Sequence, residues 1–366
     1  MLRRPSWLLP TPARKDEAQS GLRSLLLNLM RGEDLRREDA ASLLDSILDG
    51  NATDAQIAAA LVALTVKGET VEELAGMAES LRSRAVRINA RHNCFIDTAG
   101  TGSSYAKTFN VSTAAAFVIA GAGLPVAKHG SRAATSLSGS ADVLTALGVN
   151  VSAEPTISER CLNEIGICFM FAPLYHGATA RVAGIRRELG VHTTFNLLGP
   201  LTNPARAPRQ IIGVWHRSLI EPLAHVLMLL GTERAWVVHG ADGLDEVTLA
   251  EKTFVAEANC GEVKTFEIEP EDFGLRSSSI ESLRGGSAEE NAGTIREILS
   301  GERRDAARDL VIANAAAALM IGGVADGLRN AARLAEESIV GGDAKRKLEQ
   351  LIQATNEHGE KREGKG

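Results

Sequence analysis

"CFIDTAGTGSSYAKTFNVSTAAAFVIAGAGLPVAKHG", residues 94–130, changes texture repeatedly along its length. A short apolar run ends in "AGTG", the small-residue stretch "NVSTAAAFVIAGAG" follows at helical length, and "LPVAKHG" is a second apolar run that stops at glycine. Strand, glycine loop, helix and strand in that order make a βα unit, and successive units specify a mainly parallel sheet. The pattern continues outward. "SADVLTALG" (140–148) reads as helix, "RQIIGVWH" (209–216) as strand, "LIEPLAHVLMLLG" (219–231) as helix and "RAWVVHGADG" (234–243) as strand and loop. A long helical stretch over 310–352 closes the pattern. On the other side, residues 20–86 are helical, with Leu43, Leu44, Ile47 and Leu48, then Ile57, Leu61 and Leu64, at three- and four-residue spacing. Thr53 and Asp54 mark a helix start, and Gly50 and Gly68 mark ends.

The chain has 366 residues, 44% hydrophobic and 23% charged, with a formal net charge of −6. This suits a globular protein of two or three domains. The acidic balance argues against a nucleic-acid partner, which asks for a basic face. No apolar run approaches the roughly 18 residues that span a membrane. The opening "MLRRPSWLLPTPARKDE" holds only a short apolar patch broken by prolines, too short for a secretory signal. Cys94, Cys161, Cys168 and Cys260 lack CxxC spacing and read as buried, reduced thiols of a cytoplasmic protein, not as a disulfide frame or zinc site.

Ligands of open α/β sheets gather at the carboxyl ends of strands, and three loops fall there. The first, "GTGSSYAKTFNVST" (100–113), offers glycines for close backbone approach to an anion and the side chains of Asn110, Ser112 and Thr113 at a helix entry. N-capping by Asn110 or Ser112 is the plainer reading of the same residues. The second, "KHGSRAATSLSGSADVL" (128–144), sets Lys128 among the hydroxyls of Thr135, Ser136 and Ser140; it suits a phosphate, and equally a solvated loop. The third, "HGADGLDEVTL" (239–249), presents the adjacent carboxylates Asp245 and Glu246. Hard oxygen ligands beside anion-friendly loops suit Mg2+, which keeps several waters and bridges to phosphates. Between the loops, "RRELG" carries Arg186 and Arg187. Helical arginines are mostly surface charges, but one facing a pocket would grip a carboxylate.

Taken in order, "TFNVSTAAAF", "VAKHG", "GSADVL", "FAP", "RRELGV", "FNLLGPLTNPA" and "VVHG" with "DGLDE" resemble the anthranilate phosphoribosyltransferases of tryptophan biosynthesis, over about residues 22 to 353. The resemblance implies an α/β protein: a small helical domain plus a larger α/β domain with a mainly parallel sheet and surrounding helices, as in the nucleoside phosphorylase class of transferases. It divides the chain into an irregular arm (1–19), a helical domain (20–90, with a return segment near 160–195), a donor-binding α/β domain (91–355) and a polar tail (356–366). It implies a cytoplasmic homodimer joined through the N-terminal helices. The implied reaction transfers phosphoribose from 5-phosphoribosyl 1-diphosphate to the amine of anthranilate, with Mg2+ present as two ions. Carried over residue by residue, Gly100, Ser103, Ser104, Thr108, Asn110, Ser112, Thr113, Lys128, Ser136 and Ser140 hold the donor. Ser112, Asp245 and Glu246 serve the metal. Arg186 takes the anthranilate carboxylate, with Gly100, His129, Ser131, Pro173, His176 and Gly199 near its ring or path. No dedicated general base is implied.

The chain departs from the family pattern where the first loop reads "GTGSSY" in place of GTGGDG, where Ser131 replaces an asparagine, and where His192 replaces an arginine. Serine resists the positive φ that glycine accepts, and the loop loses a carboxylate. Two alternatives therefore stand beside the main expectation: a paralogue that transfers phosphoribose to another amine or ring nitrogen, and a non-catalytic ligand-binding relative.

Overall fold

In the computed structural model, which describes residues 17–102, 108–133, 137–279 and 283–357, the four apolar runs read as strands become β1 (Ile96–Gly100), β2 (Val126–Gly130), β4 (Arg209–Gly213) and β5 (Arg234–Gly240), and three further strands, β3 (Ile167–Phe171), β6 (Thr253–Asn259) and β7 (Glu262–Ile268), join them. They form one sheet in the order β3-β2-β1-β4-β5-β6-β7. β1 to β5 are parallel and nearly all buried, which explains their continuous apolar sequences. β6 and β7 add an antiparallel hairpin that the βα pattern did not announce. Its turn is Cys260–Gly261, with φ of 50° and 82°, the left-handed pair that a two-residue hairpin demands. Cys260 is exposed there, unlike the buried Cys161 and Cys168, so the expectation of uniformly buried thiols fails at this residue.

β1 leads to β2 and β2 to β3 in one direction across the sheet, whereas β4 leads to β5 in the other. The chain's sense therefore switches between β1 and β4, where strand register pairs Gly100 with Gly213. Around the sheet, helix Val111–Gly121 packs against Ala306–Ile321 and Asp343–Asn356. Both of the first two are rich in alanine, and Ala313 and Ala315 to Ala318 are fully buried; small side chains let the helices approach closely. The expected long terminal helix is three, Ala306–Ile321, Leu328–Val340 and Asp343–Asn356, broken at glycine pairs 322–323 and 341–342.

The chain divides into two compact units, 1–85 with 176–202 and 86–175 with 203–366. Among the described residues the first holds helices and no strand, and it buries Leu43, Leu44, Ile47, Ile57, Leu61 and Leu64 of the periodic residues of the sequence, with Leu48 half-buried. Thr53 caps Asp54–Lys67 and Gly68 ends it. At the crossing of Arg37–Leu48 and Val71–Arg84, Gly76 lies so close to the Arg37 carbonyl that a Cβ would overlap it. Glu73 is fully buried; its carboxylate accepts from Leu35 N at 2.9 Å, Thr70 N at 2.8 Å and Lys67 Nζ at 2.8 Å. Glu73→Gln removes the charge and one acceptor from this junction. It lowers stability by about 1–3 kcal/mol in denaturant unfolding; an unchanged midpoint would remove Glu73 from the supports of this unit. Among the described residues no helix is long and apolar enough to cross a membrane.

Candidate functional site

The carboxyl ends of β1 and β4 carry the chemistry. Gly213 cannot be larger: a Cβ there would overlap the Asp245 backbone carbonyl. A Cβ on the neighbouring Gly100 would stand 3.7 Å from Asp245 Oδ2, so the Asp245 carboxylate lies directly at the end of β1. The acidic turn is held from behind by Asn314, a buried amide on Ala306–Ile321. It accepts from Val247 N at 2.9 Å and donates to the Val247 carbonyl at 2.9 Å, as a paired strand would. Asp242 braces the other side, accepting from Leu244 N at 3.1 Å and from Thr248 Oγ1 at 2.5 Å. Glu246 Oε1 in turn accepts from Ser112 N at 3.2 Å, in the first turn of Val111–Gly121.

Lys128 reaches the same place from β2. Its Nζ donates to the Thr98 carbonyl, to Thr98 Oγ1 at 3.2 Å and to Ser112 Oγ at 3.3 Å. The ammonium is buried, which pushes its pKa down against the opposing charges of Asp97 and Glu246. Burial and the adjacent Asp245 charge push Glu246 upward, against Lys128 and the Ser112 N–H. Asp97, fully buried on β1, is raised by burial to about 6, with Lys128 pulling the other way; its Oδ1 accepts from His129 N at 3.1 Å. A cavity that admits about one water is lined by Thr98, Ser112, Gly213, Glu246 and Asn314.

Gly100, Ser112, Lys128, Asp245 and Glu246 are thus brought together, while other candidates shape the surrounding loops. Asn110 does not cap its helix through the side chain. It sits in the left-handed region (φ 63°, ψ 50°), and its amide instead donates to the Ser138 carbonyl at 3.1 Å and accepts from Asn291 at 3.0 Å. Ser112 is not the cap either, being inside the helix. The buried Thr113 hydroxyl has no hydrogen-bond partner among the described residues. Thr108 pairs through its backbone with Arg284. Ser140 Oγ donates to the Ser131 carbonyl at 3.3 Å. Asp142, which the sequence did not single out, organises that loop by accepting from Ala133 N at 2.9 Å, Gly139 N at 3.0 Å and Arg132 Nη1 at 2.9 Å. His129 is buried, whereas Ser131 and Pro173 are exposed. Ser103, Ser104 and Ser136, with Tyr105, Lys107 and Thr135, lie outside the described residues.

His176, Arg186 and Gly199 belong to the helical unit. His176 is buried, which lowers its pKa to about 4 and keeps the ring neutral. Gly199 has open space where a Cβ would stand. Arg186, on helix Ala180–Leu189, donates from Nη2 to Asn196 Oδ1 at 3.1 Å and lies 5.6 Å from the Phe195 ring centre. Its Nε is enclosed and has no acceptor among the described residues, and burial alone lowers its pKa. Arg187 is exposed.

The acid pair suits a divalent cation. Two like charges meet at a half-buried strand end, where Asp245 raises the cost of ionising Glu246. Among the described residues no third His, Cys, Asp or Glu joins them. Such a set leaves most coordination positions to water and phosphate oxygens, the arrangement Mg2+ prefers.

Residues 92–345 match the glycosyl transferase family α/β domain and residues 23–85 the helical bundle domain of the same family. The anthranilate phosphoribosyltransferase of Moorella thermoacetica is 49% identical over 90% of this chain and 97% of its own length. Among solved structures, the anthranilate phosphoribosyltransferase of Thermus thermophilus superposes with a TM-score of 0.86 at 38% identity, covering 91% of this chain and 99% of that one. The Saccharomyces cerevisiae enzyme in complex with PRPP and Mg gives 0.85 at 29% identity, covering 93% and 99%. With both modules in order and nearly half its residues shared almost end to end with such a relative, the chain belongs to the anthranilate phosphoribosyltransferase family.

Proposed function

We propose that the protein transfers phosphoribose from 5-phosphoribosyl 1-diphosphate to the amine of anthranilate and releases diphosphate. The observation that carries this reading is the meeting of Asp245, Glu246, Ser112 and buried Lys128 at the switch between β1 and β4. Asp245, Glu246 and Ser112 would hold Mg2+, as two ions, which neutralises charge on the departing diphosphate. Lys128 adds a fixed positive charge beside them, held in place by Thr98. Gly100, Thr108, Asn110, Thr113 and Ser140, with Ser103, Ser104 and Ser136, complete the donor site in this reading. The N–C1 bond forms as the C1–O bond breaks. The electron pair leaves on diphosphate and the amine proton passes to solvent. An aryl amine attacking an electron-poor carbon needs little base, so positioning supplies much of the rate.

Arg186 takes the anthranilate carboxylate, because its guanidinium is held without an acid partner among the described residues. In this reading neutral His176, His129, Ser131, Pro173, Gly100 and Gly199 are the acceptor-binding residues. The Arg186→Gln variant raises the KM for anthranilate by about 10- to 100-fold, the worth of hydrogen bonds to a charge, and leaves the donor KM nearly unchanged. Fluorescence loss of anthranilate with donor and Mg2+ tests the whole reading, run beside other amines. Turnover of another amine in preference would favour the paralogue reading, to which Ser131, standing where the family pattern has an asparagine, lends support; no turnover of any would favour a binding protein. A homodimer through the helical unit is supported by its exposed Met30 and Val66, 60% and 82% accessible. We place the protein in the cytoplasm, where an activated sugar phosphate would be used.

A further inference from the structure

Several arginines of the helical unit are matched with acids. Arg37 pairs with Glu79, Arg84 with Asp45 and Asp49, and Arg181, on the same helix as Arg186, with Asp54. Arg186 is matched with an amide. Asn196 Oδ1 accepts from Arg186 Nη2 at 3.1 Å and also from Thr193 N at 3.1 Å, so one neutral oxygen fixes both the guanidinium and the start of helix Thr194–Leu201. The Phe195 ring supports the cation without neutralising it. The enclosed Nε keeps an unused donor.

We propose that Asn196 is a positioning residue for acceptor choice: it holds the Arg186 guanidinium in place with a neutral oxygen, leaving the charge to be met by a carboxylate-bearing acceptor. This rests on the reading of Arg186 as the carboxylate-binding group. An aspartate in the same place would accept the same two hydrogen bonds and bring its own negative charge. The guanidinium would then be satisfied within the protein, and a substrate carboxylate would meet a neutral pair. An acidic residue in the first turn of a helix is favourable, so Asn196→Asp does not threaten the fold.

The test compares N196D, N196A and R186Q in steady-state kinetics at saturating donor and Mg2+. The acceptors are anthranilate and 2-aminobenzamide, which lacks the carboxylate. N196D raises the anthranilate KM by about 10- to 100-fold with little change in kcat, while its kcat/KM for 2-aminobenzamide falls far less. N196A, which keeps the charge and loses only the tether, is the milder variant. A purely structural role gives the opposite order, because aspartate preserves the geometry and alanine does not. That order, an equal loss on both acceptors, or unfolding of N196D would overturn the proposal. If R186Q loses anthranilate selectivity and N196D keeps it, Asn196 has no such role but the Arg186 reading stands. If R186Q also keeps it, the Arg186 reading itself fails.

Discussion

The double variant D245N/E246Q turns over about 10²- to 10³-fold more slowly than the parent protein, yet melts no lower in the absence of Mg2+. The two outcomes have one cause. Burial and the adjacent Asp245 make Glu246 costly to ionise in the folded protein. The amides keep the shape: the Asp245 backbone still lies against Gly213, and a glutamine oxygen can still accept from Ser112 N. What disappears is the negative charge that would recruit Mg2+ against a departing diphosphate. The parent therefore gains thermal stability on adding Mg2+ and loses turnover in EDTA, while the variant shows neither response. Parental turnover in the variant would remove the pair from the chemistry.

Local sequence announced β1, β2, β4 and β5, because strands buried on both faces leave continuous apolar runs ending at glycine, but not β3, whose run passes straight into helix Ala172–Tyr175 without a glycine. It also exposed Asp245 and Glu246, two adjacent acids where such a strand ends. It did not announce the β6–β7 hairpin, whose turn uses Cys260 in a left-handed conformation rather than Asn or Asp before the glycine. Nor did it find Gly213, Asn314 or Asp142. Each matters through a partner distant in sequence, such as the Asp245 carbonyl for Gly213 and Val247 for Asn314. Asn110 misled for a related reason: an asparagine before a helix usually caps it, but here the amide is drawn to Ser138 and Asn291. Asp97 left a signal that could have been read. A single carboxylate in the apolar run "FIDTA" has to be matched by a buried cation or by N–H donors, and it has both.

Lys128→Met removes the cation shared by Asp97 and Glu246 and costs about 3–5 kcal/mol of stability near neutral pH, the usual result of deleting one member of a buried charged cluster. Methionine fills much of the space, so lost packing is a minor part of that figure. The pH dependence identifies the cause. Lys128 lowers the pKa of both carboxylates, so its removal raises both further above their unfolded values. A carboxyl group with a raised folded pKa favours folding when protonated, and that stability is lost as pH rises through the folded pKa. The deficit of the variant is therefore small near pH 4 and grows as pH passes about 6, where Asp97 already titrates in the parent. Glu246, already pushed to about 8 in the parent, stays protonated in the variant below that pH, so Asp97 is the charge stranded near neutrality. Adding Glu246→Gln to Lys128→Met therefore changes little below about pH 8 and recovers part of the loss only above it, a non-additivity expected of groups in contact. Donor affinity is not recovered, because neither residue can then supply its charge. Denaturant unfolding of the parent, both single variants and the double across pH 4 to 10 reads all of this. A deficit that is flat with pH, or a double variant that still equals the sum of the singles well above pH 8, would show that Lys128 is held for its shape and not for its charge.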